Sequence, residues 1–398
     1  STPTPLLQAL PVGPIRTNPS SGPIRTSPQS GQIGQMSAGA GQAAPSTPGA
    51  VASTQGADFD VELFAQTIED ILDGNAVGYA YSISAGKVVA REGADGFSRM
   101  PQDTLRVQSA QRRGNIASVS KTLTAIAVLQ LIDRLNLSVD DPIHPYLPDA
   151  WFLGANTMQL TFRHLLDHRT GLNSVNQNFN TTLDWDGLRA AIAQGANPGA
   201  PFNYLNANYA LFRFMIPELW RLTGEAPNAS NDTGLWAALY YIAYMQNHVF
   251  APLGIQNAQC IDEADNRTLY YDAAGAEPGG DGGDWLLICG SGGWYLSSNE
   301  LLNVMVNASY NDNYLPPDMR ALLFGGTNAT YGANGDQGTY RFHSGVVGIG
   351  GGRGLKACAI KFAPIEVEAA LVINSATVGI PEDPCTGVLV PAYDAAWQ

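Results

Sequence analysis

The chain has 398 residues, of which 45% are hydrophobic and 14% charged, which is enough apolar material for one large or two modest domains. Its formal net charge of −14 argues against nucleic acid or an anionic membrane surface as a partner, and no basic run makes a local exception. No stretch of about 18 uninterrupted apolar residues occurs, so no membrane span is predicted.

Residues 1–56 are rich in Pro, Ser, Gly, Thr and Gln and carry no acidic or aromatic residue. Within them a nine-residue unit beginning at Gly13 repeats at Gly22, with a degraded third copy from Gly31. Such a segment cannot bury enough apolar surface to fold alone, and two copies are too few for a solenoid. It is expected to be a tether, or an arm through which copies self-associate. The start at Ser1, without Met or a signal-like run, reads as a processed or trimmed end.

From Asp58 the periodicity becomes helical: Phe59, Val61, Leu63, Phe64, Ile68 and Leu72 fall on one stripe that closes at Gly74-Asn75. Residues 76–89 alternate like a strand, with Gly86-Lys87 as a turn. A long apolar helix follows from Ser118 to about Leu135-Asn136. Proline-containing turns punctuate the next stretch, and residues 160–256 read as mostly helical, including the Ala-, Tyr- and Leu-rich run 235–250. Strand patterns return at 339–347, 355–362 and 367–373, and a last helix follows Cys385. Strands at both ends with helices between predict an α/β (α+β) fold. Residues 57–112 and 287–398 would form the α/β domain around one sheet, with 113–286 as an inserted helical domain.

The four cysteines form no Cys-x-x-Cys pair, which counts against a zinc ribbon or thioredoxin-type motif. Their even number and wide spacing fit a secreted, extracellular or periplasmic chain with up to two disulfides, against the alternative of four buried thiols. Of the three possible pairings, Cys260–Cys289 with Cys358–Cys385 is preferred. Asn-x-Ser/Thr triplets recur, among them those beginning at Asn180, Asn228, Asn231, Asn266 and Asn328, which matters only in a eukaryotic secretory route.

The chemistry-bearing motif is Ser118-Val119-Ser120-Lys121 at the mouth of the apolar helix. A serine and a lysine three residues apart at a helix start share one face, one turn apart. That spacing brings an amine to a hydroxyl, as an activated serine nucleophile requires. The helix N-terminus adds free N–H groups and the positive end of its dipole. Alone, the motif is a weak signal, better read as a serine cap followed by a solvated lysine.

Further blocks stand in order along the chain: Leu165-Leu166-Asp167-His168-Arg169-Thr170-Gly171-Leu172, Tyr204-Leu205-Asn206, Gly292-Gly293-Trp294-Tyr295-Leu296-Ser297-Ser298, and His343-Ser344-Gly345. With Ser-x-x-Lys, this series resembles the serine β-lactamase and penicillin-binding-protein superfamily over residues 58–398. The resemblance is to the branch of class C β-lactamases, D-alanyl-D-alanine carboxypeptidases and β-lactamase-like esterases. It implies an antiparallel sheet flanked by helices, with an inserted all-helical domain and the cleft between them. Thr170 replaces the serine of the family's second block, and His343 replaces the lysine of Lys-Thr-Gly. The second departure implies weak or absent β-lactamase activity, and suits carboxypeptidase- or esterase-like members better.

The resemblance further implies that Ser118 forms an acyl-enzyme on an ester or amide, including D-amino-acid peptides. Lys121 would accept or relay the serine proton, and Tyr204 would serve as phenolate or proton shuttle. Asn206 would orient Lys121 and bind a substrate amide, and His343 and Ser344 would line the strand edge. The N–H groups of Ser118 and of Val346, just past Gly345, would form the oxyanion hole. No metal or organic cofactor is required, and the expected partner is a small-molecule or peptide substrate. Tyr209 is an alternative to Tyr204 but does not precede an asparagine by two. Ser120 reads as a helix-start hydroxyl. His164 and His168 stand four apart but lack the glutamate of a zinc helix, so both read as structural. The Gly-rich run 348–354 reads as a hairpin, and Trp236, Tyr240, Tyr241 and Tyr244 read as helix core. The rival function is structural: a hydrolase-like domain assembled into filaments through the N-terminal arm.

Overall fold

The computed structural model describes residues 58–172, 183–261 and 267–398. The N-terminal arm with its repeat, and the triplet asparagines Asn180 and Asn266, lie outside the described residues. The helical stripe after Asp58 forms α1 (Val61–Leu72), whose first free N–H groups are met by Asp60 accepting from Leu63 N–H at 3.0 Å. Strands β1 (Gly78–Ala85) and β2 (Val88–Arg99) form a hairpin. Its two linking residues, Gly86 and Lys87, both have positive φ, as a two-residue hairpin turn requires. β3 (Arg106–Val107) adds a short edge, and β4 (Gly114–Asn115) leads into α2 (Ser120–Arg134).

The chain then becomes helical: α3 (Phe162–Leu166), α4 (Trp185–Gln194), α5 (Asn206–Leu222) and α6 (Gly234–Tyr244), the last continued by a wider turn over Met245–Phe250. β5 (Tyr295–Leu296) pairs with β4, and α7 (Ser298–Tyr310) opens on a capping box of Ser297 and Glu300. After α8 (Pro317–Ala321) come β6 (Tyr331–Gly335), β7 (Gly338–Gly348), β8 (Gly354–Phe362) and β9 (Val367–Ile373), and the chain ends in α9 (Val390–Ala395).

The main sheet has seven strands in the order β3-β2-β1-β9-β8-β7-β6, every neighbouring pair antiparallel. β9 pairs with β1, so the two ends of the chain meet at the middle of the sheet. One face carries Tyr79, Tyr81, Ile83, Ile360 and Phe362 and is covered by α1 and α9. The other presents Ala80, Ala357, Ala359, Ala370 and Val372 to a larger core that includes α2, α5 and α7. Small side chains there let helices approach the sheet closely, and burial on both faces is the dominant stabilising term.

Both preferred disulfides are present, Cys260–Cys289 and Cys358–Cys385. The Gly-rich run forms the β7–β8 turn, with Gly350, Gly351 and Gly352 all at positive φ. The α6 aromatics divide, contrary to the core reading. Tyr241 and Tyr244 are fully buried, whereas Trp236 is 44% exposed, because positions five and eight beyond Trp236 turn off its face onto the core side. Asn231 is buried, and its amide donates to Tyr146 and Phe214 carbonyls, which leaves no accessible nitrogen for a glycan.

Candidate active site

Ser118 lies in a single 3₁₀ turn, Ala117–Val119, that runs directly into α2. The turn is bent by Ala117, which holds φ +47, a left-handed conformation unfavourable for a residue with a Cβ. Its surroundings compensate. Ala117 N–H donates to Asn115 Oδ1 at 2.8 Å, Asn115 N–H donates to Tyr270 OH at 2.6 Å, and Ile116 N–H donates to Trp294 O at 2.9 Å. The Gly292–Ser298 stretch thus brackets the serine: Tyr295–Leu296 pair with β4, and Trp294 N–H donates to Ser120 Oγ at 3.1 Å. Ser120 is therefore a fully buried structural hydroxyl.

One helical turn on, Lys121 is completely buried. Its amine lies 3.0 Å from Ser118 Oγ and donates to Ser291 O at 2.6 Å. No carboxylate forms an ion pair with it among the described residues, so burial alone drives its pKa well below the usual lysine value. Tyr204 arrives from the loop ahead of α5, and its hydroxyl donates to the same Ser118 Oγ at 2.9 Å. Lys121 Nζ stands 4.8 Å from the Tyr204 ring centroid and 6.0 Å from that of Tyr209. Burial pushes Tyr204 up to about 12, with the Ser118 hydrogen bond opposing, so its resting form is the neutral phenol rather than a phenolate. Tyr209 hydrogen-bonds Leu166 O instead of the serine.

The late motif is placed by β7. His343 and Gly345 share one face by the period of two, and Ser344 faces the other way. A Cβ on Gly345 would lie 2.4 Å from Ile116 O and 2.9 Å from Ser118 N, so only glycine lets the strand approach the serine turn this closely. Val346, the next residue, pairs with Lys356 on β8. β6 pairs with β7 only up to Phe342, so β7 has no β6 partner from His343 onward, alongside the serine.

His343 Nδ1 must donate to Ser344 O at 2.7 Å, which leaves Nε2 as the lone-pair nitrogen, buried and without a hydrogen-bond partner among the described residues. Burial, then the charge of Lys121, holds the ring near a pKa of about 3, so it is neutral at physiological pH.

Two expectations are corrected. Ser344 does not line the cleft: its hydroxyl donates to Asp383 at 2.7 Å on the opposite face of β7. Asn206 does not orient Lys121; the Ser291 carbonyl does, and Asn206, first residue of α5, keeps its buried Oδ1 free of any described partner. One residue was missed. Tyr331, at the start of β6, sets its ring 5.1 Å from His343 and 6.2 Å from Phe202, and its hydroxyl is buried and unpartnered among the described residues. No motif announces it; a tyrosine before Gly-Ala-Asn-Gly reads as loop.

His164 and His168 do separate work. His164 completes the cap of α3, accepting Thr161 N–H at 3.1 Å, and His168 accepts Leu205 N–H at 3.1 Å. As a whole the site offers a hydroxyl touched by an amine whose pKa burial lowers and by a phenol, beside a strand edge, which is competent chemistry for transferring an acyl group.

The beta-lactamase family model matches residues 64–360. Among curated proteins, the chain is 28% identical over 145 residues to PbpX of Bacillus subtilis, described as a penicillin-binding protein, covering 36% of this chain and 32% of that protein. The chain spans only about a third of the length of the curated relatives it matches, 32% and 37%. Among solved structures, the octameric penicillin-binding protein homologue from Pyrococcus abyssi superposes with a TM-score of 0.61 at 19% identity, covering 79% of this chain and 73% of that one. The D-amino acid amidase from Ochrobactrum anthropi gives 0.61 at 16% identity, covering 78% of this chain and 91% of that one. At such identities the structural likeness speaks to the fold. The family match, which covers most of the chain, makes this protein a member of the beta-lactamase family, within the serine β-lactamase and penicillin-binding-protein superfamily.

Proposed function

We propose that the protein is a serine hydrolase that forms an acyl-enzyme on Ser118 with an uncharged ester or amide, the amides of D-amino acids being the favoured class. The observation that carries the reading is the convergence of Lys121 Nζ and Tyr204 OH on Ser118 Oγ, at 3.0 and 2.9 Å. In acylation the neutral Lys121 amine takes the Ser118 proton while Oγ bonds to the substrate carbonyl carbon. The oxyanion is met by the N–H groups of Ser118 and Val346. Tyr204 then gives its proton to the leaving nitrogen or oxygen as that bond breaks, and Lys121 returns a proton to Tyr204. Water repeats the sequence in reverse and frees Ser118. His343 Nε2 and Asn206 Oδ1 offer acceptors for N–H groups of the substrate.

Where the family's strand motif carries lysine, the neutral His343 offers a substrate carboxylate no cation. This favours esterase or amidase chemistry over carboxypeptidase and β-lactamase chemistry. The D-amino acid amidase relative supports the same choice. Two disulfides support a secreted or periplasmic setting.

Intact mass after exposure to a fluorophosphonate, a penicillin and a nitrophenyl ester tests the reading, with Ser118→Ala as control and a D-amino acid amide as turnover substrate. The fluorophosphonate is expected to add to Ser118 and the ester to turn over, with little stable penicillin adduct. A protein that neither labels nor turns over any of these sinks the proposal.

A further inference from the structure

We infer that His168 is a positioning residue for Tyr204, fixing the phenol on Ser118 through the Leu205 backbone and a tilted ring contact. The inference rests on the proposed role of Ser118, and it assigns work to a residue that the sequence reads as merely structural.

His168 holds φ +55, a left-handed conformation unfavourable for a residue with a Cβ that persists only where the surroundings over-determine it. Here they do. His168 O accepts Asn203 N–H at 2.9 Å, and Nδ1 accepts both Leu205 N–H at 3.1 Å and the Asn208 side-chain amide at 3.2 Å. Asn208 is oriented in turn by Thr170 Oγ1, which donates to its Oδ1 at 2.7 Å. The residues on both sides of Tyr204 are therefore hydrogen-bonded to one histidine.

The ring itself sits 4.7 Å from the Tyr204 ring at an interplanar angle of 33°, and 5.2 Å from the Tyr209 ring. With two donors on Nδ1, the neutral ring carries its proton on Nε2. A protonated ring would place N–H against N–H at both contacts. Burial opposes that state as well, which favours the neutral ring that the clamp needs. The residue is 1% exposed, and among the described residues its Nδ1 accepts only from Leu205 N–H and the Asn208 side chain on α5.

A phenol displaced by about 1 Å from the serine loses proton transfer while the binding surface remains, so kcat suffers and KM does not. The test is steady-state turnover of a nitrophenyl ester by His168→Ala, His168→Asn, Tyr204→Phe and the double variant His168→Asn/Tyr204→Phe, with the melting temperature of each. His168→Ala is expected to lose about 100-fold in kcat with KM within about twofold. Asparagine tolerates the left-handed backbone and offers an oxygen to Leu205 N–H, so His168→Asn is expected to recover at least about tenfold of that loss.

In the Tyr204→Phe background His168→Asn should change kcat little, because its effect passes through the missing hydroxyl. Equal kcat losses for the alanine and asparagine variants, or a fully additive double variant, overturn the inference. If the alanine variant does not fold, the asparagine single and double variants decide the question alone. A wild-type protein that does not turn over at all would instead overturn the proposed function.

Discussion

Lys121 is the residue whose chemistry burial alters most. A lysine in water is a cation and no base; fully enclosed, without a carboxylate partner, it favours the neutral amine. Activity requires that neutral form, so kcat/KM is expected to fall as pH falls through the lowered lysine pKa. His343 titrates near 3 and His168 well below its usual value, so neither should add a limb near neutrality. A pH profile of nitrophenyl-ester hydrolysis checks this. One acid limb, unmoved in His343→Gln, is the expected result; a limb that disappears in that variant assigns the base to the histidine instead. The Ser-x-x-Lys spacing was legible in the chain because a helix turn fixes it locally. The Ser291 carbonyl that holds the amine was not, since it lies 170 residues away and uses only backbone.

At the scale of elements, β7 and the serine turn form the decisive contact. The strand patterns at 339–347, 355–362 and 367–373 match β7, β8 and β9 to within a residue or so, because buried strands advertise themselves by apolar alternation. β6 escaped: Tyr331-Gly332-Ala333-Asn334-Gly335 has two glycines and an asparagine, which local propensity assigns to a loop, and only pairing with β7 makes it a strand. The direction of Ser344 was missed for a related reason, since strand residues alternate and the motif does not say which of them faces the cleft.

The closeness of β7 to the turn gives a sharp expectation for Gly345→Ala. The new methyl would overlap Ile116 O, and Ile116 cannot retreat without losing its bond to Trp294 O. A loss of about 1–3 kcal/mol in stability, with labelling of Ser118 by fluorophosphonate slowed at least about tenfold, is expected from melting and labelling-rate measurements. Unchanged labelling would mean that the strand does not control the turn.

Over the whole molecule, histidines buried in the neutral form couple stability to pH. His343 titrates near 3 folded and near 6.5 unfolded, so the unfolded chain binds the extra proton between those values. Its contribution is fully present above about pH 6.5 and is lost as pH falls toward 3, at about 1.4 kcal/mol per pH unit. His168 acts with the same sign. The melting temperature is expected to drop steadily from pH 7 to 5, and less steeply in His343→Gln; a flat profile over that range would contradict the neutral burial of these rings.

What the amino-acid sequence indicated by itself is the first helix, the first strand, the serine helix, the three late strands and the candidate reacting groups, because periodicity and helix-turn spacing are local. The tertiary structure decided the state and direction of those groups: a Lys121 whose pKa burial lowers, a protonated Tyr204, Ser344 turned away and Tyr331 turned in. Those properties depend on burial and on partners brought from distant parts of the chain, 86 residues between Tyr204 and Ser118, and no local pattern encodes them.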